Sequence, residues 1–287
     1  MKWIGRERMP LEGTVVLVTG AGSGIGELVA VGAARRGARG VVLWDIDPVA
    51  AERVAAAVGL AGAEAYVQRV DVRDTQAVAA AAAQVLAQYG AVDVLVNNAG
   101  VVSGKDLVDL SEEEIARTFD VNVLAHYRTI RAFLPTMLQR DSGLVVTVAS
   151  AAGLVGVARQ TDYSASKFAA VGLTESLRAE LRHRGSQVGT LLVCPYYIDT
   201  GMFEGVRTRV PLLLPILRPE RVAEQVLDAI ESGRQRLVLP AFAQSILFLK
   251  GLPVGIVDAV ADLFGINATM DAFVGRPKSR STRAPAE

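Results

Sequence analysis

The chain alternates between short runs of apolar residues, rich in valine and leucine, and longer alanine-rich stretches. Most of the short runs are apolar at every position and not only at every second one, which is typical of strands that are covered on both faces. These runs predict strands at residues 14–20, 40–45, 93–100, 144–150, 188–195 and 236–240.

The longer stretches predict helices at residues 24–36, 48–58, 75–88, 111–140, 163–184 and 219–232. Ser111 precedes three glutamates, a pattern that suits the N-terminus of a helix. Strands and helices that alternate in this way predict a parallel sheet with right-handed crossovers. We therefore expect the α/β class, with a single-domain, Rossmann-like, doubly wound parallel sheet flanked by helices.

The domain organisation follows from the absence of a long polar linker before the C-terminal tail. We expect an N-terminal segment at residues 1–10 and the Rossmann-like domain at 11–240. An apolar helical extension of the same domain is expected at 241–275. The polar tail at 276–287 contains two prolines and is expected to be disordered.

Composition excludes several classes of function. Lys and Arg number 30 and Asp and Glu also number 30, so no net charge favours nucleic acid as a partner. The single cysteine, Cys194, leaves no internal disulfide framework and lies in an apolar run that predicts burial. His126 and His183 lack spaced partners, so we expect no metal site. The N-terminus has no apolar core typical of a signal peptide.

The stretch "TGAGSGIG" follows the first predicted strand and opens the first predicted helix. Its glycines leave the backbone bare, so that a pyrophosphate could approach the helix N-terminus at Gly20, Gly24 and Gly26. A glycine-rich loop alone is a weak signal, but this one lies between strand and helix, where dinucleotide binding requires it.

Acidic residues follow the next two apolar segments. Asp45 lies about 20 residues after the glycine loop, where a carboxylate binds ribose hydroxyls and repels a 2′-phosphate. Ser23 and Ile46 offer no cation to hold such a phosphate, so we predict NAD as the cofactor. The alternative is that Asp45 caps the next helix, although Asp47 is better placed for that role. Asp71 is expected near the adenine, or else in a turn.

Tyr163 and Lys167 lie four residues apart and share one helix face. A neighbouring ammonium favours the phenolate and so is expected to lower the pKa of the phenol towards working pH. Ser150 ends the preceding strand and could bind the same substrate oxygen, and Asn122 could bridge to Lys167 through water. Alone, a tyrosine and lysine at this spacing are more often ordinary surface residues of a helix.

Taken in order, "TGAGSGIG", "NNAG" at 97–100, Asn122, Ser150 and "YSASK" at 163–167 resemble the short-chain dehydrogenase/reductase family. The resemblance covers roughly residues 11–240. It implies that Tyr163 exchanges the proton, that Lys167 binds the nicotinamide ribose, and that Ser150 and Asn122 complete the catalytic set. It also implies cofactor contacts from Gly20, Ser23, Gly24, Ile25, Gly26, Asp45, Ile46, Asp71, Val72, Asn98, Ala99, Gly100, Tyr163, Lys167, Pro195, Ile198 and Thr200.

One departure from the family pattern is Tyr196, which stands where most members have glycine after Pro195 and could narrow the space near the nicotinamide. The stretches "CPYYIDTGMF" and "DYSASKFAAVG" resemble the branch of epidermal-type retinol dehydrogenases and lipid-droplet 17β-hydroxysteroid dehydrogenases. The resemblance implies an NAD-dependent oxidoreductase of retinoid-, steroid- or long-chain-alcohol-like substrates, assembled as a homodimer or homotetramer. The alternatives are a non-catalytic NADH- or lipid-binding module and a reductase of small polar ketones.

The C-terminal third contains two strongly apolar segments, at residues 210–217 and 241–265. Lys250, Gly251 and Pro253 interrupt the second segment well short of a membrane-spanning length. We expect the first segment to line an apolar substrate pocket. Packing on a second subunit, packing on the substrate and peripheral membrane contact remain open for the second. The expected location is the cytoplasm, with or without membrane association.

Overall fold

A computed structural model of the protein describes residues 9–275. Its strands form one parallel sheet in the spatial order β3-β2-β1-β4-β5-β6-β7. In chain order the strands are β1 Val15–Thr19, β2 Gly40–Asp45, β3 Glu64–Arg69, β4 Val94–Asn97, β5 Leu144–Val148, β6 Gly189–Pro195 and β7 Arg236–Leu239. The order reverses between β1 and β4, which opens a crevice at the carboxyl ends of these strands.

The helices cover both faces of the sheet. They are α1 Gly24–Arg35, α2 Pro48–Leu60, α3 Thr75–Tyr89, α4 Glu112–Phe119, α5 Ala125–Arg140, α6 Thr161–His183, α7 Pro219–Glu231, α8 Ile246–Leu249 and α9 Val254–Phe264. Local signals fix several of their N-termini. Ser111 and Glu114 form a capping box at α4, and Asp47 accepts hydrogen bonds from two amides at the start of α2.

Successive residues of each strand point into two separate apolar layers. In β1, Val16 and Val18 pack with α1, α2 and α7, whereas Val15 and Leu17 pack with α3, α5 and α6. Helices therefore cover both faces of the sheet and exclude water from them, which is why the central strands are apolar at every position. The predicted Rossmann-like, doubly wound sheet is confirmed.

The sequence pattern misses one strand. Glu64–Arg69 forms β3 at the edge of the sheet, where its residues are half-buried or exposed. This edge strand is incompletely covered and keeps polar residues such as Gln68, whereas the strand at the opposite edge, β7, is mostly buried and has the apolar pattern. Asp71 was correctly noted after this segment, but the segment itself was not predicted to be a strand.

The helix predicted at residues 111–140 is interrupted. A π-helical turn, Asp120–Leu124, separates α4 from α5. Asn122 lies in this turn and is fully buried. Such turns insert one extra residue into a helix and often occur at functional sites.

No helix within residues 9–275 is long and apolar enough to cross a membrane. The predicted disordered tail lies outside the described residues, as does most of the predicted N-terminal segment. The boundaries predicted at residues 11–240 and 241–275 stay predictions. Residues 241–275 form a 3₁₀ turn, α8, α9 and a second 3₁₀ turn, Ile266–Ala268, that pack at the carboxyl edge of the sheet.

Candidate active site

The crevice at the carboxyl ends of the strands deepens into a cavity of about 640 Å³. This volume lies within the range typical of small-molecule sites. The strands β1, β2, β4, β5 and β6 each deliver a predicted site residue to it. The predicted residues that line the cavity are Gly20, Ser23, Gly24, Ile25, Asp45, Ile46, Asp71, Val72, Asn98, Ala99, Gly100, Ser150, Tyr163, Lys167, Pro195, Ile198 and Thr200.

Two predicted site residues do not line the cavity. A Cβ at Gly26 would lie 2.2 Å from the carbonyl oxygen of Gly20, so Gly26 allows close packing beneath the loop. Asn122 is buried. The cofactor contact of Gly26 and the catalytic role of Asn122 stay predictions.

The glycine loop has the backbone that the sequence predicts. Gly20 and Gly24 have φ angles of 64° and 61°, in the left-handed region that glycine adopts without steric cost. Asn98 fixes the loop to the sheet, because its side-chain amide donates to the carbonyls of Thr19 and Gly20 at 3.0 and 3.2 Å. The N-terminus of α1 consequently faces the cavity and offers amides to an anion.

The Asp45 carboxylate is held in place by two backbone amides. Its Oδ2 accepts from Gly22 at 2.7 Å and its Oδ1 accepts from Asp47 at 2.9 Å. Asp71 also lines the cavity, and an ion pair with Arg73 holds the pKa of its carboxyl below the usual value, chiefly through the hydrogen bond from the guanidinium. The acidic positions predicted from the sequence therefore lie at the same end of the cavity.

Tyr163, Lys167 and Ser150 come together in the middle of the cavity wall. Lys167 Nζ lies 5.6 Å from the centroid of the Tyr163 ring and donates to the carbonyl of Val148 at 3.0 Å. Ser150 Oγ accepts from the amide of Ala152 at 3.1 Å. All three side chains are at least nine-tenths buried, so charges among them are poorly screened by water.

The expected depression of the phenol pKa is wrong for the chain by itself. Burial raises the pKa of Tyr163 above its ordinary value, and the hydrogen bond with Ser150 offsets only part of that effect. Burial also lowers the pKa of Lys167 to about 8. The physical reason is that desolvation penalises the charged form of each group and is the largest cause of both shifts.

Asn122 uses its side chain to fix the backbone around the site. Its Oδ1 accepts from the amide of Val101 at 2.9 Å, and its Nδ2 donates to the carbonyl of Val101 and to Ser166 Oγ. Both Asn122 Oδ1 and Lys167 Nζ lie close to Gly100. The water bridge from Asn122 to Lys167 stays a prediction.

The chain's own residues fit a nicotinamide dinucleotide. A Cβ added at Gly24 would fill the space beside Thr200, so the loop leaves a bare cradle where a pyrophosphate would lie. Asp45 supplies an acceptor for ribose hydroxyls, and Lys167 supplies a cation farther along the cavity. These residues would hold the pyrophosphate, a ribose and the nicotinamide end of a dinucleotide in the crevice.

The far end of the cavity is apolar. The segment at 210–217 contributes Leu214, as predicted, and the second apolar segment also faces the cavity. Its apolar lining residues are Phe242, Ala243, Ile246, Leu249, Val257, Val260, Ala261 and Phe264, and Ser245 and Lys250 line the cavity beside them. The outer side of the same helices is exposed, with 81% of Phe248 and 74% of Val254 accessible. Contact of that outer side with a subunit or a membrane stays a prediction.

Sequence reasoning missed several residues of the cavity wall. Tyr196 was noted only as a departure, and it does line the cavity. Gln160 and Phe203 also line it, and neither was predicted. Phe203 stands in the quoted run "CPYYIDTGMF", but an aromatic residue in a loop gives no sign of what it faces. Within the described part of the chain, no cluster of His, Cys, Asp and Glu could hold a metal ion.

His126 gives a test of the buried layer behind the site. It lies on α5, neither ring nitrogen has a partner, and burial lowers its pKa from the ordinary 6.5 to about 3. Between these values the unfolded chain binds a proton that the folded chain does not bind, so stability falls as the pH falls below 6.5. Urea unfolding should show a loss of about 2 kcal/mol from this group between pH 7 and pH 5.

Replacing His126 by leucine should remove that part of the pH dependence and leave stability at pH 7 nearly unchanged, because no hydrogen bond is lost. His183→Gln, near the end of α6, is the control and should keep the dependence of the parent protein. If His126→Leu loses as much stability as the parent between pH 7 and pH 5, the imidazole is not buried in its neutral form.

The comparisons with known proteins agree with this geometry. The family model for short chain dehydrogenase matches residues 14–211. The chain therefore belongs to the short-chain dehydrogenase/reductase family, whose members are oxidoreductases that bind a nicotinamide cofactor.

A curated relative, epidermal retinol dehydrogenase 2 from Mus musculus, is 40% identical, with 96% of this chain and 90% of the relative covered. The predicted resemblance to the retinol dehydrogenase branch is thereby confirmed.

Two solved structures are also similar to this chain. A short-chain dehydrogenase/reductase from Burkholderia phymatum in complex with NAD has a TM-score of 0.76 and is 33% identical, covering 85% of this chain and 95% of its own. A metagenomic short-chain oxidoreductase in complex with NADP has a TM-score of 0.67 and is 34% identical, covering 80% and 96%. Because one neighbour binds NAD and the other NADP, the choice between them is not fixed by similarity.

Proposed function

We propose that the protein is an NAD-dependent dehydrogenase that exchanges a hydride between NAD(H) and a lipophilic alcohol or the matching carbonyl compound. The observation that carries this proposal is the continuity of one cavity. Asp45 ends β2 and the glycine loop follows β1, Ser150 beside Tyr163 follows β5, and the apolar side chains of α8 and α9 come after β7, so the strand order places the reactive residues between the two sets. A molecule that reaches Tyr163 from the apolar end must itself be largely apolar.

Bound NAD(H) supplies the chemistry of hydride transfer. The protein's part is to hold the substrate oxygen and to move its proton. Tyr163 is the general acid or base at that oxygen, and Ser150 is a second hydroxyl within reach of it. Lys167, 5.6 Å from the ring centroid, is the cation that stabilises the phenolate when the proton leaves.

The substrate class rests on the apolar lining and on the family branch. Retinoid-, steroid- and long-chain-alcohol-like compounds are largely apolar and match the apolar side chains of α8 and α9 that line this cavity. The name of the Mus musculus relative supports the retinoid class. A small polar ketone would leave most of the apolar wall of α8 and α9 without contacts.

A panel of alcohols tests the proposal. Purified protein is mixed with NAD or NADP and with retinol, a hydroxysteroid, a long-chain alcohol or a short polar alcohol, and absorbance is followed at 340 nm. NADH formation with the lipophilic members supports the proposal. Turnover restricted to short polar substrates would favour the polar-ketone reductase. Nucleotide binding without turnover of any member would favour the non-catalytic module.

Asp45 should set the choice of cofactor. Its carboxylate is held towards the cavity by Gly22, and a negative charge there repels a 2′-phosphate. Asp45→Asn keeps an acceptor for the Gly22 amide but removes the charge. We expect the ratio of kcat/KM for NAD over NADP to fall at least about tenfold, which corresponds to about 1.4 kcal/mol.

Asp74→Asn is the matched control. Like Asp45, Asp74 accepts hydrogen bonds from two backbone amides, but it does not line the cavity. Its cofactor ratio should equal that of the parent. If the parent protein already prefers NADPH, the Asp45 carboxylate does not exclude a 2′-phosphate and the choice of NAD is wrong.

A further inference from the structure

The last described residues, 269–275, form a segment that we call the C-terminal strap. It is joined to the loop after β6 by backbone hydrogen bonds. The amide of Arg207 donates to the carbonyl of Thr269 at 3.2 Å, and the amide of Val274 donates to the carbonyl of Glu204 at 2.8 Å. The Ala272 carbonyl also lies against Gly205, where a Cβ would come within 2.0 Å of it. The strap and residues 203–207 therefore pack as one unit.

That unit presents an aromatic side chain to the reactive phenol. The Phe203 ring meets the Tyr163 ring edge to face, with 5.8 Å between centroids, and meets the Tyr197 ring at 5.1 Å. Phe273, from the strap, supports Phe203 from behind at 6.4 Å. Aromatic pairs in this geometry are attractive beyond the area that they bury. Phe203 thus packs against Tyr163, against Tyr197 and against the strap.

Two residues before α6 hold the strap from the other side. Arg159 Nη1 donates to the carbonyls of Met270 and Asp271, both at 3.2 Å. The next residue, Gln160, is buried and donates to the Tyr197 hydroxyl at 3.1 Å, and that hydroxyl lies 2.8 Å from Thr269 Oγ1. The start of the helix that carries Tyr163 is therefore bonded directly to the strap.

Arg159 makes these contacts from a strained backbone. Its φ of 60° lies in the left-handed region, which costs a residue with a Cβ roughly 1–2 kcal/mol. Glycine would adopt the same conformation freely. The hydrogen bonds from the Arg159 side chain to the strap therefore offset the cost of its backbone conformation.

We propose that Arg159 is a positioning residue, which holds the C-terminal strap so that Phe203 closes the substrate end of the cavity over Tyr163. This inference rests on the proposed function and extends it to residues that do not touch the dinucleotide end. The hydrogen bonds that hold Asp45 come from Gly22 and Asp47, and those that hold the strap involve Glu204, Arg207 and Arg159, so dinucleotide binding should not depend on Arg159. Binding of the lipophilic substrate should depend on it, because the substrate lies against the wall that Phe203 forms.

The test is Arg159→Gly, which removes the side-chain contacts and relieves the backbone strain. Because these two effects oppose one another, the thermal midpoint should stay within a few degrees of the parent. The KM for the lipophilic alcohol should rise about tenfold, while kcat and the Kd for NADH change less than about threefold. A role in overall stability alone would lower the midpoint without separating KM from Kd.

Hydrogen exchange on the protein without cofactor gives a second readout. The amides of Val206, Arg207 and Val274 should exchange faster in Arg159→Gly, and the amides of β1 and β4 should not. The control is Asp141→Gly, at the other non-glycine residue with positive φ in the described chain, which lies after α5. Its kinetic constants and its exchange at these three amides should match the parent.

An unchanged KM and unchanged exchange in Arg159→Gly would overturn the inference. If that variant does not fold, Phe273→Leu tests the same support without touching Arg159. It should raise KM about tenfold by withdrawing the backing of Phe203, and an unchanged KM would equally overturn the inference. If the parent turns over no alcohol, the proposed function fails. The exchange measurement then still decides whether Arg159 holds the strap.

Discussion

Tyr163→Phe is expected to lower turnover of a lipophilic alcohol by about 10²–10⁴-fold and to leave NADH binding intact. The variant loses only a hydroxyl, which is the group that we propose exchanges the proton with the substrate oxygen. The ring would still pack against Phe203. Steady-state kinetics gives the loss in kcat, and fluorescence titration with NADH should give a Kd within about threefold of the parent.

Tyr127→Phe is the matched control, because Tyr127 is half exposed on α5 and does not line the cavity. It should keep the turnover of the parent. Turnover retained by Tyr163→Phe would mean that another group carries the proton, and the roles given to Lys167 and Ser150 would lose their basis.

Gly26→Ala should have the second largest effect. Alanine usually stabilises a helix interior by roughly 0.5–1 kcal/mol relative to glycine, and Gly26 lies within α1. Here the added Cβ would lie 2.2 Å from the carbonyl oxygen of Gly20 and 2.5 Å from Asn98 Nδ2. The loop must therefore shift, at a cost typical of overpacking of about 1–3 kcal/mol.

Because the shifted loop is the one that forms the dinucleotide cradle, NADH affinity should fall at least about tenfold. Urea unfolding and NADH titration measure the two effects. The control is Gly172→Ala in α6, where nothing lies within 4 Å of the new Cβ, and stability should rise slightly. A Gly26→Ala variant as stable as the parent, with unchanged NADH affinity, would contradict the close packing between α1 and β1.

The central strands could be predicted because both of their faces are dry, which leaves a continuous apolar run such as residues 14–20 in the sequence. The site residues carried by strand ends and by the glycine loop, such as Asp45 and Ser150, could be predicted for a related reason. Parallel strands bring their carboxyl ends to one edge of the sheet, so a residue after a strand is placed by the fold itself.

What could not be predicted depends on contacts between distant segments. β3 is half-buried or exposed along its whole length, unlike β7 at the other edge of the sheet, and so lacks the apolar pattern of the other strands. The π-helical turn at Asn122 depends on hydrogen bonds with Val101, about 20 residues away in the chain. The pKa of Tyr163 depends on how completely the ring is buried, and sequence spacing to Lys167 does not reveal that.

The contacts of the C-terminal strap also could not be predicted from the sequence. Arg159 and Gln160 are ordinary polar residues in the sequence, and Thr269 and Met270 follow more than a hundred residues later. Only the folded chain brings them together at the start of α6. The sequence at 241–265 is recognisably apolar, but it does not reveal that one face of this segment lines the cavity.

Isotope transfer tests the central claim most directly. A lipophilic alcohol that carries deuterium on its carbinol carbon is incubated with the protein and NAD, and the reduced cofactor is analysed by mass spectrometry. The account predicts that deuterium appears on the nicotinamide ring in the parent protein and does not appear with Tyr163→Phe. Reduced cofactor without the label, or no reduced cofactor with any alcohol and either dinucleotide, would contradict it.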